Sequence, residues 1–267
     1  MTTSCLCATA NLGRSKKKLI TLVLPAFAML LGFSGTHAQD AGPTWAPTEI
    51  YACTFVDDAD MDDLNDAIEA WNEWADENGT DDYTGIVMTP NFTAESFPYE
   101  VLWVGTWRTG AGLAGLQQLY AEGAEILEGF GQVLDCSAHQ GFAGTNVQPL
   151  GEPTGIVPVS FTNCTLHDGR IGPEAGAAMG RYIEFLTENG SDAGHWGLRP
   201  GPGREADDSY DFKCVTAYTS YAALGHGFDL YYNGGGQQRL EAEIGRVMSC
   251  DSSRIYNSRV VRAMAEE

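Results

Sequence analysis

Basic residues are scarce in this sequence. The 267 residues include 15 lysines and arginines against 36 aspartates and glutamates, a net charge of −21. Arg14, Lys16, Lys17 and Lys18 all precede residue 38, and beyond it Lys213 is the only lysine. Without its first 38 residues the chain would carry −25, because those four bases go and no acid goes with them. Such a surface excludes nucleic acid and anionic membranes as natural partners. Long apolar runs are also lacking. The longest, residues 19–33, has 15 positions, short of the ~20 that a spanning helix needs. No P-loop, dinucleotide fingerprint or Gly-x-Ser-x-Gly occurs, which removes the common nucleotide-binding and hydrolase readings. The histidines after residue 38 are His139, His167, His195 and His226, and none has metal-ligand spacing. No Cys-x-x-Cys-His is present for covalent heme attachment. The chain is therefore expected to bind no metal and to need no cofactor.

What the N-terminus does contain is an address. The basic patch leads into the apolar run, and Ser34-Gly35-Thr36-His37-Ala38 then supplies small residues, with Thr36 and Ala38 at −3 and −1. That three-part layout is a secretory signal peptide. Residues 1–38 are expected to be removed, leaving a periplasmic or secreted protein with no membrane association. Five cysteines remain, Cys53, Cys136, Cys164, Cys214 and Cys250. Export permits disulfides, and an odd count leaves one thiol unpaired or joined to another chain.

The strongest signal is internal repetition. At an offset of 111, Cys53-Thr54 meets Cys164-Thr165, Glu77-Asn78-Gly79 meets Glu188-Asn189-Gly190, and Tyr99 meets Tyr210. Trp71 and Trp74 meet Tyr182 and Phe185, and Trp107 meets Tyr218. After the glycine run 234–236 the offset becomes 114, where Cys136 meets Cys250. The expected repeats span 39–148 and 149–267.

Each copy reads as β-α-β-β-α-β. In the first, strands are expected near 50–56, 83–88, 99–107 and 138–147. Leu64, Ile68 and Trp71 recur at helical spacing behind an acidic start, and Gly79 supplies a helix end. A second helix, weakened by Gly123, Gly129 and Gly131, runs over 111–134. The second copy has strands near 157–166, 195–199, 209–221 and 253–262. Its helical stretches are 173–189 and 224–249. The acidic start also counts like a calcium loop at Asp58, Asp60, Asp62, Asp66 and Glu69, but the required glycine is Asp63, which favours a helix N-terminus.

This element order, duplicated, resembles the dimeric α/β-barrel superfamily in fused tandem form. The resemblance implies an α+β fold of two tandem ferredoxin-like repeats with antiparallel sheets facing each other. Its members include cofactor-free monooxygenases, isomerases and heme proteins, so it leaves the reaction open. The fold implies that the end of the second helix lies near the first strand, giving the bridges Cys53–Cys136 and Cys164–Cys250. Cys214 is then a buried apolar residue.

Alternation on the two best strands gathers Tyr99, Trp103 and Trp107 on one face, and Tyr210 and Tyr218 on the equivalent face. Leu102, Val104, Val215 and Ala217 fall opposite, as if under helices. The aromatic faces are expected to line the space between the sheets and to bind a small apolar or aromatic molecule there. Arg108 could orient an anionic group of that ligand. The alternatives are a cofactor-free oxidoreductase, a heme enzyme with His226 as axial ligand, and a solid inter-sheet core in a purely structural protein.

Overall fold

The computed structural model describes residues 44–206 and 208–265, so the expected signal peptide lies outside the described residues. The chain runs β1 (Ala46–Phe55), α1 (Met61–Glu77), β2 (Tyr83–Phe92) and β3 (Val101–Trp107). A 3₁₀ turn (Gly110–Leu113) leads into α2 (Ala114–Glu122), α3 (Ala124–Val133) and β4 (Leu134–Gln148). Then come β5 (Val157–Leu166), α4 (Gly172–Glu188), β6 (Gly194–Pro200) and β7 (Phe212–Ala217). Helices α5 (Tyr221–Tyr232) and α6 (Gly236–Glu243) precede β8 (Met248–Cys250) and β9 (Arg254–Arg262). No helix among the described residues is long and apolar enough to cross a membrane.

Local chemistry sets the helix ends. Asp60 caps α1, its Oδ1 accepting from the Asp62 N–H at 2.8 Å, while Asp63 Oδ2 accepts from the Asp60 N–H at 2.9 Å. This reciprocal capping box commits the carboxylate of Asp60, one of the acids that count like calcium ligands, and that of Asp63, which stands at the glycine position of that count, to the helix start. Gly79 and Gly190 follow α1 and α4 with φ of +66° and +86°, the left-handed turn that glycine makes without a Cβ penalty. The long glycine-rich helices expected from the sequence are each broken in two, at Gly123 and at Gly234–Gly235.

All strand pairs are antiparallel and form one sheet. The first four strands lie in the order β4-β1-β3-β2, and the later ones in the order β6-β7-β5 with β8 and β9 both beside β5. Pairing of β4 with β6 and of β2 with β9 joins the two sets at both edges. The sheet thereby closes on itself, leaving β1, β3, β5 and β7 no free edge.

Closure buries both faces of the strands. Leu102 and Val104 of β3 point inward with Ala52, Met88, Phe142, Val159, Phe161, Leu198, Val215, Ala217 and Tyr256, one core built from every strand except β8. Val101, Trp103 and Trp107 point outward against α1 and α3 with Leu64, Ile68, Trp71 and Val133. The second outer core packs Cys164, Ala178, Tyr182, Ile244 and Met248 under α4 and α6. This corrects the facing expected from alternation. Side chains from eight strands fill a barrel of this size: Phe142, Phe161 and Tyr256 go inside with the aliphatics, while the indoles of β3 go under the helices. The space between the sheets is accordingly a packed core.

Both expected disulfides are present. Cys53–Cys136 joins β1 to β4, and Cys164–Cys250 joins β5 to β8, each between directly paired residues. A register shift between Ala52 and Cys53 brings Cys136 opposite Cys53.

Candidate functional site

A cavity of about 630 Å³ lies between the outer face of β1–β3 and helices α1–α3. Its volume is within the range of small-molecule sites. Trp71 and Trp74 come from α1, Trp103 and Trp107 from β3, and Phe130 from α3. The rings meet edge to face: Trp71 with Tyr83 at 5.6 Å, Trp71 with Trp103 at 5.2 Å, Tyr83 with Trp107 at 4.9 Å. That arrangement suits their quadrupoles and sets ring faces at steep angles to one another.

The floor carries a buried acid. Glu49 of β1 is 5% exposed and pairs across the sheet with Gly105 of β3 and Gly141 of β4. Tyr83 lies across Gly105 and donates its O–H to Glu49 Oε1 at 2.9 Å. Trp103 Nε1–H donates to the Tyr83 hydroxyl at 2.6 Å. On the other side, His139 Nε2 stands 2.9 Å from Glu49 Oε2. Nε2 is the protonated nitrogen whenever Glu49 is ionised, because a carboxylate only accepts. The His139 ring is stacked on Tyr51 at 3.7 Å.

Burial, and then the charge of Glu49, push the hydroxyls of Tyr83 and Tyr51 well above the ordinary phenol range. Both tyrosines therefore stay neutral donors. Within this network the proton-accepting groups are Glu49 and His139. The arrangement can hold a flat molecule against indoles and take a proton from it at the floor.

The residues read from the sequence are divided by the fold. Trp103 and Trp107 line the cavity. Tyr99 packs with Phe97 against the barrel interior, 5.4 Å between rings. Tyr210 precedes β7, belongs to the interior core, and carries the Lys213 ammonium 4.1 Å over its ring. Tyr218 follows β7 and packs beneath Gly227 of α5. Arg108 donates to the Ala265 carbonyl at 2.6 Å. His226 is exposed on α5, with Nε2 3.0 Å from the Asn189 carbonyl oxygen. These five side chains do not converge with Trp103 and Trp107. Sequence reasoning misses Glu49, Tyr51, Tyr83 and His139 as site residues. It starts the first strand at residue 50, one position after the acid, although Glu49, Tyr51 and Cys53 alternate on one face.

Heme is the cofactor the resemblance raises, and the cavity does not fit it. Axial ligands in heme proteins are histidine, thiolate, methionine or tyrosinate. No histidine lines the cavity, Cys53 and Cys136 are bridged, and Tyr51 and Tyr83 are held protonated. Its charged lining residues are Glu49 and Asp82, which would repel propionates. Elsewhere, Cys164, Cys214 and Cys250 cluster, but two of them form the disulfide. Burial pushes the Cys214 thiol up to about 12, so it is not a ready nucleophile.

His195 of β6 has a separate consequence. It is 7% exposed, bonds Thr216 through Nδ1 at 3.1 Å, and its Nε2 is unpartnered. Burial lowers its pKa from 6.5 to about 4. The unfolded state then takes up a proton more readily than the fold. Its contribution is complete above pH ~6.5 and is lost as pH falls toward 4, roughly 3 kcal/mol in all. In denaturation curves between pH 7 and 4, His195→Gln is expected to flatten that slope. A slope unchanged by the substitution would place the titration elsewhere.

No protein-family model matches the chain, and no curated protein sequence does. Solved structures do. A candidate monooxygenase from Lactobacillus acidophilus NCFM is 9% identical, with a TM-score of 0.52 over 80% of this chain and 94% of that one. A second candidate monooxygenase, from Fusobacterium nucleatum, is 8% identical, with a TM-score of 0.52 over 82% and 94%. A heme-binding protein from Thermus thermophilus reaches a TM-score of 0.47 at 10% identity over 81% and 91%. At such identities the likeness concerns the fold alone.

Proposed function

We propose that this is an exported protein of two fused ferredoxin-like repeats, divided near residue 148. Its first repeat takes up a small, flat, apolar or aromatic molecule. The site is the cavity between β1–β3 and α1–α3. One observation carries the reading: a carboxylate 5% exposed, held by Tyr83 and His139, on the floor of a tryptophan-walled cavity. A buried acid is costly unless hydrogen-bonded, and three polar side chains are committed to Glu49 and its donor. A purely structural core would be more stable with apolar side chains there.

The same network favours a cofactor-free oxidoreductase as the second reading. Proton removal by Glu49 from a bound phenol or enol would leave an electron-rich anion in a water-poor site.

Four of the six tryptophans line the cavity, so ligand entry is visible as fluorescence quenching. A panel of flat aromatics is expected to include members that quench saturably in the micromolar range. Leu127→Trp, which fills the cavity, should weaken them at least tenfold at an unchanged unfolding midpoint. Quenching that is absent throughout, or indifferent to the filled cavity, would refute the proposal. Turnover that stops in Glu49→Gln while binding persists would select the second reading.

A further inference from the structure

We infer that the natural ligand of this cavity is an organic cation, an aromatic or apolar body bearing an ammonium or similar positive group. The inference rests on the cavity being a ligand site. Its first ground is the charge of the walls. The charged lining residues, Glu49 and Asp82, are both acidic, and no lysine, arginine or histidine is among the lining residues. Glu49 is held by hydrogen bonds from Tyr83 and His139, and among the described residues neither a lysine nor an arginine is paired with it. The acid thus sits 5% exposed, in a poorly solvated place at the floor of the cavity. A negative charge there is stabilised most by an incoming opposite charge.

The second ground is the walls themselves. Trp71, Trp103, Trp107 and Tyr83 are turned edge to face, which presents electron-rich ring faces and hydrogen-bearing edges around one volume. Aromatic boxes of this kind attract cations through the ring quadrupole, most strongly with tryptophan. The chain's own cations already use such faces. Arg262 stands 5.7 Å over the Trp71 ring, and Lys213 stands 4.1 Å over Tyr210. An anion would meet Glu49 and Asp82 with no basic side chain among the lining residues to receive it. The third ground is long-range: a chain of net charge −21 concentrates cations near its surface before any contact forms.

Three naphthalene probes of nearly one shape separate charge from shape: 2-naphthylmethylammonium, 2-naphthylmethanol and 2-naphthylacetate. Calorimetry with the whole protein is expected to rank cation over alcohol by at least tenfold, with the carboxylate undetectable. The cation's affinity should fall as salt rises from 20 to 500 mM, and the alcohol's should not. Glu49→Gln should erase most of the preference. Asp82→Asn, at the other acid, should reduce it and serves if Glu49→Gln does not fold. Cation and alcohol binding equally would overturn this inference and leave the aromatic-ligand reading standing. Failure of all three probes to bind would overturn both.

Discussion

Alanine at position 105 is expected to cost the fold about 3 kcal/mol and to dismantle the cavity floor. A Cβ built on Gly105 would stand 2.0 Å from the Tyr83 hydroxyl oxygen, 2.6 Å from Cζ and 2.7 Å from Cε2. No real Cβ tolerates such contacts, so the ring must leave. Retreat is blocked, because Trp71 and Trp107 pack on it at 5.6 and 4.9 Å. Overpacking alone costs about 1–3 kcal/mol. Moving Tyr83 also strips the Trp103 N–H of its acceptor and Glu49 of one donor. Each buried group left without a partner adds about 1–3 kcal/mol, partly offset by relaxation. For a domain of this size that corresponds to a melting point lower by roughly 10 °C. Gly110→Ala is the control, since nothing lies within 4 Å of its added Cβ. Denaturant titration and near-ultraviolet circular dichroism would measure both. A Gly105→Ala loss under 1 kcal/mol, or an unchanged aromatic spectrum, would show that Tyr83 does not occupy this seat.

The same residues show what was legible in the sequence. Element order followed from local patterns, because helix caps and glycine stops act within one turn. Asp60 with Asp63, Gly79, Gly123 and Gly190 all mark boundaries that the fold keeps. The disulfides followed once the element order suggested a fold, since Cys53 with Cys136 and Cys164 with Cys250 fall on neighbouring strands. Which face of β3 looks inward was not legible. Alternation separates core from solvent, but a closed sheet under helices buries both faces, so both read as apolar. Val101, Trp103 and Trp107 against Leu102 and Val104 is a choice between two interiors. Glu49 escaped for a different reason. A lone acid at a strand's start looks like a solvated end until its neighbours on β3 and β4 are known, and those are set by tertiary pairing.

Removing one cysteine from each bridge is expected to give unequal results. In the first half, Cys136→Ala leaves Cys53 fully buried with Trp103 beside its strand, and no second thiol there can replace the lost bond. The closed loop spans 83 residues, for which the chain-entropy model gives about 4–5 kcal/mol. In the second half Cys164 is flanked on both sides. Cys250 pairs with it from β8, while Cys214 reaches it from β7 with sulfurs 3.5 Å apart. In Cys250→Ala, oxidative folding can close Cys164–Cys214 instead. The two thiols lose two protons and two electrons to the same oxidant that makes the native bridges. That bond closes a loop of 50 residues, worth about 4 kcal/mol on the same model, so most of the entropic stabilisation survives. Peptide mapping without reductant should find Cys164–Cys214 in this variant, and denaturation should show it at least about 2 kcal/mol more stable than Cys136→Ala. Adding Cys214→Ser to Cys250→Ala should abolish that advantage. Free thiols at both Cys164 and Cys214 in the single variant would mean that the strands hold the sulfurs close but not in line for bonding. Cys214 on β7 is thus a thiol that can re-form a bridge, whereas Trp103 on β3 is an indole that walls a cavity.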